Sequence, residues 1–430
     1  MSRLDGKRRE GKAVAFRFVH TADIHLDSPL RSLALRDPTV AERVGVATRE
    51  AFSRTIDLCL DERVDAFLIV GDLYDGSQVS MKTAQFLAQQ LRRLDAAGIR
   101  TFIVRGNHDA ISRITRELEL PKTVTVFEGR ASSHVIETGG LPVVIHGLSF
   151  SKPHAPDSLL SRFPAAQPGA VNIGMLHTSL NGSPVHDVYS PCSVADLQAT
   201  GYDYWALGHI HIRAVHLGRG VVVMPGMPQG RNIGEAGPKS ITLAQITDDG
   251  AITLEERSVR TVRFERLDID VDGVSEWSDL IAVLDAGIRA AEREDPTEHL
   301  VLRPRLVGKT PLGWRIPRDL DRIRAEAELT AEALGTTWID KVENDTVVGD
   351  RSASDDLPAE LAALIQDELT DAPATLAEAD EVIGGLLKSL PPELRDMLGD
   401  SQAALAEQRN SLMRAGVATV LALLSGRENG

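Results

Sequence analysis

Five times before residue 212, an apolar, β-branched run ends in a loop that carries Asp, His or Asn. In chain order these are "FVHTADIHLDS" with Asp23 and His25, "LIVGDLYDGS" with Asp72 and Asp75, "FIVRGNHDA" with Asn107, His108 and Asp109, "GMLHTSL" with His177, and "ALGHIHIRA" with His209 and His211. An apolar strand running into a polar loop is how open α/β sheets build their sites, because ligands gather at the carboxyl ends of the strands. The five loops are therefore expected to converge.

The segments between the early runs read as amphipathic helices. Thr48–Leu60 places Ala51, Phe52, Thr55, Ile56 and Cys59 on one face, and Met81–Ala97 does the same with Ala84, Leu87, Ala88, Leu91 and Leu94, before Gly98 stops the helix. Strands are predicted at Ala15–Val19, Ala66–Val70, Thr101–Val104, Val143–Ile145, Val171–Leu176, Tyr204–Leu207 and Val221–Met224. Residues 16–260 thus form an α/β domain preceded by a basic tail, residues 1–15, that contains "KRREGK". From Thr261 the pattern changes. "TVRFERLDIDVDG" alternates as a half-buried strand, followed by a helix at Trp277–Arg293, a strand at His299–Leu306, a helix at Leu320–Ala333 and the strand-like "TTWIDKVEN". Residues 261–347 are a small α+β domain. Beyond the linker candidate "VGDRSASDD", the 348–430 region is rich in Ala, Leu and acidic residues, with no Phe, Tyr or Trp, and reads as helical.

A length of 430 residues agrees with several domains at roughly 100–200 residues each. The two cysteines, Cys59 and Cys192, are too far apart in sequence for a CxxC pair, which excludes a thiolate zinc site or a disulfide framework and fits a reducing, cytoplasmic location. The longest apolar run, Ala415–Leu424, falls short of the roughly 20 residues of a membrane helix, so a soluble protein is expected. The net charge of −15 argues against a general DNA-coating protein. Residues 350–430 hold 15 acidic and 6 basic side chains, a net of −9, so more than half of that charge lies outside the α/β domain. DNA binding by this chain alone should then be weak and salt-sensitive.

Asp, His and Asn offer hard oxygen and imidazole nitrogen without thiolate, a donor set that suits Mn2+, Fe2+ or Zn2+. Seven such side chains are too many for one ion. With one bridging carboxylate they supply two ions and leave room for hydroxide and substrate, which is the clamp used for in-line attack on phosphorus.

The ordered set DxH, GDxxD, GNHD, a His after a strand and GHxH resembles the calcineurin-like metallophosphoesterases. "HTADIHLDSPL", "GYDYWALGHIHIRAV" and "MPGMPQGRN" resemble more closely the DNA-repair nucleases of the SbcD type, in particular the YhaO-like branch. The resemblance covers residues 16–235. It implies a four-layer α/β/β/α sandwich with a small α+β capping domain and a helical C-terminal segment. It also implies that Asp23, His25 and His211 bind one metal, that Asn107, His177 and His209 bind the other, and that Asp72 bridges. His108 would contact the scissile phosphate and protonate the leaving oxygen, a role suited to a group that titrates near neutrality. Asp109 and Asp75 would orient His108 or neighbouring groups. By the same resemblance the working ion is Mn2+, with Fe2+, Zn2+ and Mg2+ left open by the ligands. The function implied is a DNA nuclease, exonuclease or endonuclease, in a DNA-repair complex. Its partners are DNA, a coiled-coil SbcC-like ATPase docked by residues 348–430, and a second copy of the chain; the location is cytoplasmic and nucleoid-associated.

Other readings bear on single residues. Gly71, Gly106 and Gly208 are expected to serve tight turns rather than phosphate contact. His20 and His146 are expected to be hydrogen-bonded structural histidines. His186, Tyr189 and Arg231 fall in long loops and are candidate substrate contacts, with a solvated loop face as the competing reading. Two other functions remain: a phosphodiesterase or phosphatase for small nucleotides or phosphoproteins, and an inactive scaffold. The complete ligand set with His108 argues against the scaffold.

Overall fold

The computed structural model describes residues 14–28, 38–74, 80–109, 119–152, 155–180, 189–294, 299–348 and 372–389, with a few further positions between 406 and 417. Asp75, His186, the basic tail up to residue 13 and nearly all of the 348–356 linker lie outside them. The chain divides into two compact units, one of residues 1–265 with 297–300 and one of residues 266–296 with 301–430.

Two six-stranded sheets make the first unit. The first runs β12 (Ile252–Arg257), β11 (Ile241–Thr247), β1 (Val14–Thr21), β2 (Ala66–Val70), β3 (Arg100–Val104) and β4 (Val124–Val126). The second runs β5 (Ser132–Ile136), β6 (Val143–Gly147), β7 (Val171–His177), β8 (Tyr204–Gly208), β10 (Val221–Met224) and β9 (Ala214–His216). Each sheet has four parallel strands: β1 to β4 in one, with antiparallel β11 and β12 beyond β1 and with β4 at the edge, and β6, β7, β8 and β10 in the other, flanked on both sides by antiparallel strands.

The central strands are mostly apolar because both of their faces are covered. Side chains alternate along each strand. Phe18, Leu68, Val70 and Phe102 of the first sheet meet Ile145, Ile173, Met175, Tyr204 and Ala206 of the second in one core, with Phe18 edge-on to Tyr204 at 5.0 Å between centroids. The intervening Val19, Phe67, Ile69 and Ile103 pack against α1 (Pro38–Asp61) and α2 (Met81–Ala96) through Phe52, Ile56, Leu87 and Leu91. Each such side chain, fully buried, contributes roughly 1.5–3 kcal/mol. Ser80 caps α2 by accepting from the Thr83 amide, and Gly98, at φ +75°, follows its end as the sequence predicts. On the far face of the second sheet, Trp205 and Leu207 pack against loops and against α3 (Val194–Ala199), where the indole N–H of Trp205 donates to Leu197 O at 3.0 Å. The α/β/β/α layering holds, with a fourth layer thinner than the first.

The second unit pairs β13 (Val262–Asp270) with β14 (His299–Thr310), and β14 in turn with β15 (Thr337–Ile339) and β16 (Glu343–Val348). Leu280, Leu284 and Ile288 of α4 (Trp277–Glu294) and Ile323 and Ala327 of α5 (Leu320–Leu334) are buried. "TTWIDKVEN" is two strands rather than one. The break falls at Asp340, whose amide donates to Leu302 O at 2.8 Å while its buried carboxylate pairs with Arg303. After residue 350 the described helix is α6 (Pro373–Ser389). Among the described residues no helix is long and apolar enough to cross a membrane.

Candidate metal centre

All five motif loops leave the carboxyl ends of parallel strands. Asp23 and His25 follow β1, Asp72 follows β2, Asn107 and His108 follow β3, His177 is the last residue of β7, and His209 and His211 follow β8. The two sheets bring their loops together at one end of the sandwich. Ligand atoms of Asp23, His25 and His211 lie within 4.8 Å of one another, and so do those of Asp72, His177 and His209. Asn107 joins the second group, with Oδ1 3.1 Å from His177 Nε2. The His108 ring stands edge-on to His25 at 5.3 Å, and its backbone N–H donates to Asp72 Oδ1 at 3.1 Å.

Backbone strain is concentrated in these loops. Asp23 (φ 51°), His25 (46°), Asp72 (48°) and His209 (106°) all have positive φ, a region non-glycine residues rarely enter. Such conformations cost on the order of 1–3 kcal/mol each and persist where the surrounding structure over-determines them. Here bonds between the loops do so, one of them across the sheets. Asp23 accepts the His209 N–H at 2.9 and 3.1 Å, and the Asp23 and His25 amides donate to Gly71 O and Asp72 O at 3.1 and 3.0 Å.

The electrostatics suit a cation. Burial pushes the Asp23 carboxyl up to about 6 against the pull of His177 and His211. Burial acts the same way on Asp72, yet the adjacent His177, with His25 and His108, holds it well below the usual carboxylate range. His177 responds in kind, since burial lowers it but Asp72 and Asp23 carry it up to about 9. His177 Nδ1 donates to Val70 O at 3.1 Å, which leaves Nε2 facing Asp72 Oδ2 at 3.4 Å and Asn107 Oδ1. His25 Nε2 and His211 Nε2 face each other at 3.3 Å. Clustered acceptor atoms of this kind need a proton or a cation between them, and the donors are those a hard or borderline divalent ion takes.

Three expectations gain detail. Gly71, at φ +81°, does make a turn, but a Cβ there would also lie 2.1 Å from His177 Nδ1. At Gly106 a Cβ would lie 2.2 Å from Asp72 Oδ1, and at Gly208 1.9 Å from Val70 O, so these glycines make room for the cluster itself. Asp109 accepts from the amides of Leu73, Tyr74 and Gly106 at 3.1, 3.0 and 3.3 Å, so it ties the Asp72 and Asn107 loops together rather than orienting the His108 ring. Arg231, read as a substrate contact, is held by Glu235 four residues on and reaches Ser28 Oγ at 3.3 Å. Tyr189 does lie at the cluster, edge-on to His209 at 5.3 Å. His20 and His146 are structural as expected. His20 bridges Tyr204 Oη and Leu207 O at 3.0 Å each, and His146 lies between Ser133 and Asn172. Sequence reasoning missed Glu235, whose Oε1 is 3.1 Å from His211 Nδ1. The one local signal was an acid and an arginine four residues apart in the loop after the last parallel strand.

Residues 16–213, the stretch that carries every one of these ligands, match the calcineurin-like phosphoesterase family. The chain carries a calcineurin-like metallophosphoesterase domain. Residues 264–347 match the middle domain of metallophosphoesterase YhaO. YhaO of Bacillus subtilis is 34% identical over 257 residues, which is 59% of this chain and 63% of that relative's length. The DNA double-strand break repair protein Mre11 of Methanopyrus kandleri is 22% identical over 89% of this chain and 85% of its own, and that of Methanocaldococcus jannaschii is 28% identical over 46% and 51%.

Proposed function

We propose that this metallophosphoesterase is a two-metal-dependent DNA nuclease that hydrolyses phosphodiester bonds. The observation that carries the reading is the pair of facing donor groups with the half-buried His108 ring beside them. In this reading Asp23, His25 and His211 would hold one divalent ion and Asn107, His177 and His209 the other, with Asp72 shared between them. Bound there, such ions, Mn2+ by family resemblance, would supply Lewis-acid polarisation of the phosphoryl oxygens and neutralise developing charge.

The protein's own groups do the rest. A ring nitrogen of His108 delivers a proton to the leaving sugar oxygen, and the backbone bond to Asp72 Oδ1 keeps that ring at the ligand cluster. Asp109 fixes the spacing of the two loops from which Asp72 and His108 project. DNA as substrate is supported by the name of the Mre11 relatives. By the same analogy residues 261–347 select or orient DNA, residues 348–430 dock a coiled-coil ATPase, the chain pairs with a second copy, and it works in the cytoplasm at the nucleoid.

The test is direct. With Mn2+ the purified chain should degrade linear DNA, and His108→Ala should bind the metal normally while cleavage falls roughly 100- to 10,000-fold. Cleavage confined to small phosphodiesters would replace DNA with a small-nucleotide substrate.

A further inference from the structure

The two donor groups are built alike but backed differently. His177 donates from Nδ1 to a neutral acceptor, the Val70 carbonyl. His211 donates from Nδ1 to a carboxylate, Glu235 Oε1, at 3.1 Å. A carboxylate behind an imidazole fixes the tautomer and ring orientation and makes the other nitrogen a stronger donor than a carbonyl does.

Glu235 is itself held. The Arg231 amide donates to Oε2 at 2.8 Å and the Arg231 guanidinium donates from Nε to both oxygens at 3.1 and 3.2 Å. The other end of Arg231 reaches Ser28 Oγ, and the Ser28 amide donates to His25 O at 3.1 Å. One chain of bonds thus runs from the His211 ring, through Glu235, Arg231 and Ser28, to the backbone carbonyl of His25. Buried Lys239 pins the same loop through Ala236 O and Pro238 O.

We propose that Glu235 is a positioning residue for His211 and that it makes the Asp23, His25 and His211 group the tighter of the two cation sites. The proposal rests on the two-metal reading above. Glu235→Gln is nearly isosteric and its amide oxygen still accepts from Nδ1, while its amide nitrogen takes the place of Oε2 and gives up the bonds from Arg231, so the variant removes the charge and loosens the Arg231 clamp. The full chain is titrated with Mn2+ by calorimetry and followed by electron paramagnetic resonance. Wild type should bind two ions. In E235Q one of them should weaken about 10- to 100-fold while the other holds within about twofold, and at Mn2+ levels that saturate wild type the spin-coupled pair signal should give way to that of isolated Mn2+. Thermal unfolding of the metal-free variant reads the loss of the Arg231 bonds separately, so a lowered melting temperature with both metal affinities unchanged counts against the proposal. Unchanged affinity for both ions in E235Q, or equal weakening of both, overturns the proposal. Failure of wild type to bind any divalent ion overturns the two-metal reading and this one with it. If E235Q does not fold, Arg231→Lys keeps both charges while loosening the clamp; weakening confined to one ion then supports the proposal, and unchanged binding of both refutes it.

Discussion

Gly208→Ala tests whether the glycines of this site provide space. A Cβ on residue 208 would sit 1.9 Å from Val70 O, 2.9 Å from Ala22 Cβ and 3.0 Å from His177 Nδ1. The first neighbour is backbone in the centre of the opposite sheet, so no side-chain rotation relieves it. The ends of β8 and β2 must move apart by about 1 Å to reach a tolerable contact, and interiors packed at crystal density resist such shifts. Overpacking of this kind costs about 1–3 kcal/mol. The same movement stretches the His177 Nδ1 to Val70 O bond and the His209 amide bond to Asp23, worth about 1 and 2 kcal/mol. The sum is about 4–6 kcal/mol, which for a unit of this size lowers Tm by roughly 8–24 °C.

Two other glycines calibrate the measurement. Gly98 has φ +75° with nothing within 4 Å of an added methyl, so Gly98→Ala isolates the left-handed conformation, at about 1 kcal/mol. Gly139 has neither feature and its alanine should be neutral or slightly stabilising. Calorimetric melting of the three variants, with a Mn2+ titration of Gly208→Ala, gives the ranking. A Gly208→Ala protein that melts within about 2 °C of wild type and binds metal unchanged refutes the spatial argument.

Burial pushes His20 down to about 3 from its ordinary 6.5, so below pH 6.5 the unfolded chain takes up a proton that the fold excludes and stability falls as pH drops toward 3. The slope is about 1.4 kcal/mol per pH unit, so His20→Gln should lose about 2 kcal/mol less between pH 7 and pH 5 in urea unfolding. Asp109→Ala leaves three buried amides without their acceptor and should cost about 3 kcal/mol or more, with weakened Mn2+ binding because the loops of Asp72 and Asn107 loosen; calorimetry measures both. Arg315 lies 4.3 Å over the Trp277 ring, so Arg315→Ala should shift tryptophan emission and cost about 0.5–1 kcal/mol in chemical unfolding.

The strands that carry ligands were legible because two-sided burial makes them continuous apolar runs. Ala66–Val70 and Tyr204–Gly208 show no exposed residue at all. The strands that were missed sit at or near sheet edges, where that signal fades. β4 is three half-buried residues, β5 alternates exposed and covered positions, and β9 is again three residues. β11 and β12 flank "DDG", a readable hairpin signal, but nothing local says that β11 crosses from the far end of the domain to pair with β1. The ligands were readable as motifs, whereas their support was not. Glu235 is one acid in "NIGEAG", and its contact with His211 exists only because the loop after β10 folds back over the loop after β8. The reason for Gly106 and Gly208 is likewise tertiary, since the atoms they accommodate belong to strands β2 and β7 and the loop after β2.

Ligands drawn from two sheets raise the question of what fixes their spacing, since a site about 1 Å too loose loses most of its value. Asp23, His177 and His20 bond across the sandwich at the site: Asp23 to the His209 amide, His177 to Val70 O, and His20 to Tyr204 and Leu207. None of these bonds depends on a long flexible side chain. Each runs from backbone, or from a ring or short carboxylate locked by burial, and Tyr204 is in turn part of the core between the sheets. The strained φ values at Asp23, His25, Asp72 and His209 are the geometric consequence, because those residues must turn back toward the opposite sheet within a few positions of a strand end. The packing of Phe18, Leu68, Met175 and Ala206 between the sheets therefore sets the distance between the donor groups, and with it the separation at which two ions can be held. Chemistry at this site is then governed less by the loops that display the ligands than by the core beneath them, and substitutions in that core should alter metal spacing before they alter the ligands' identity or exposure.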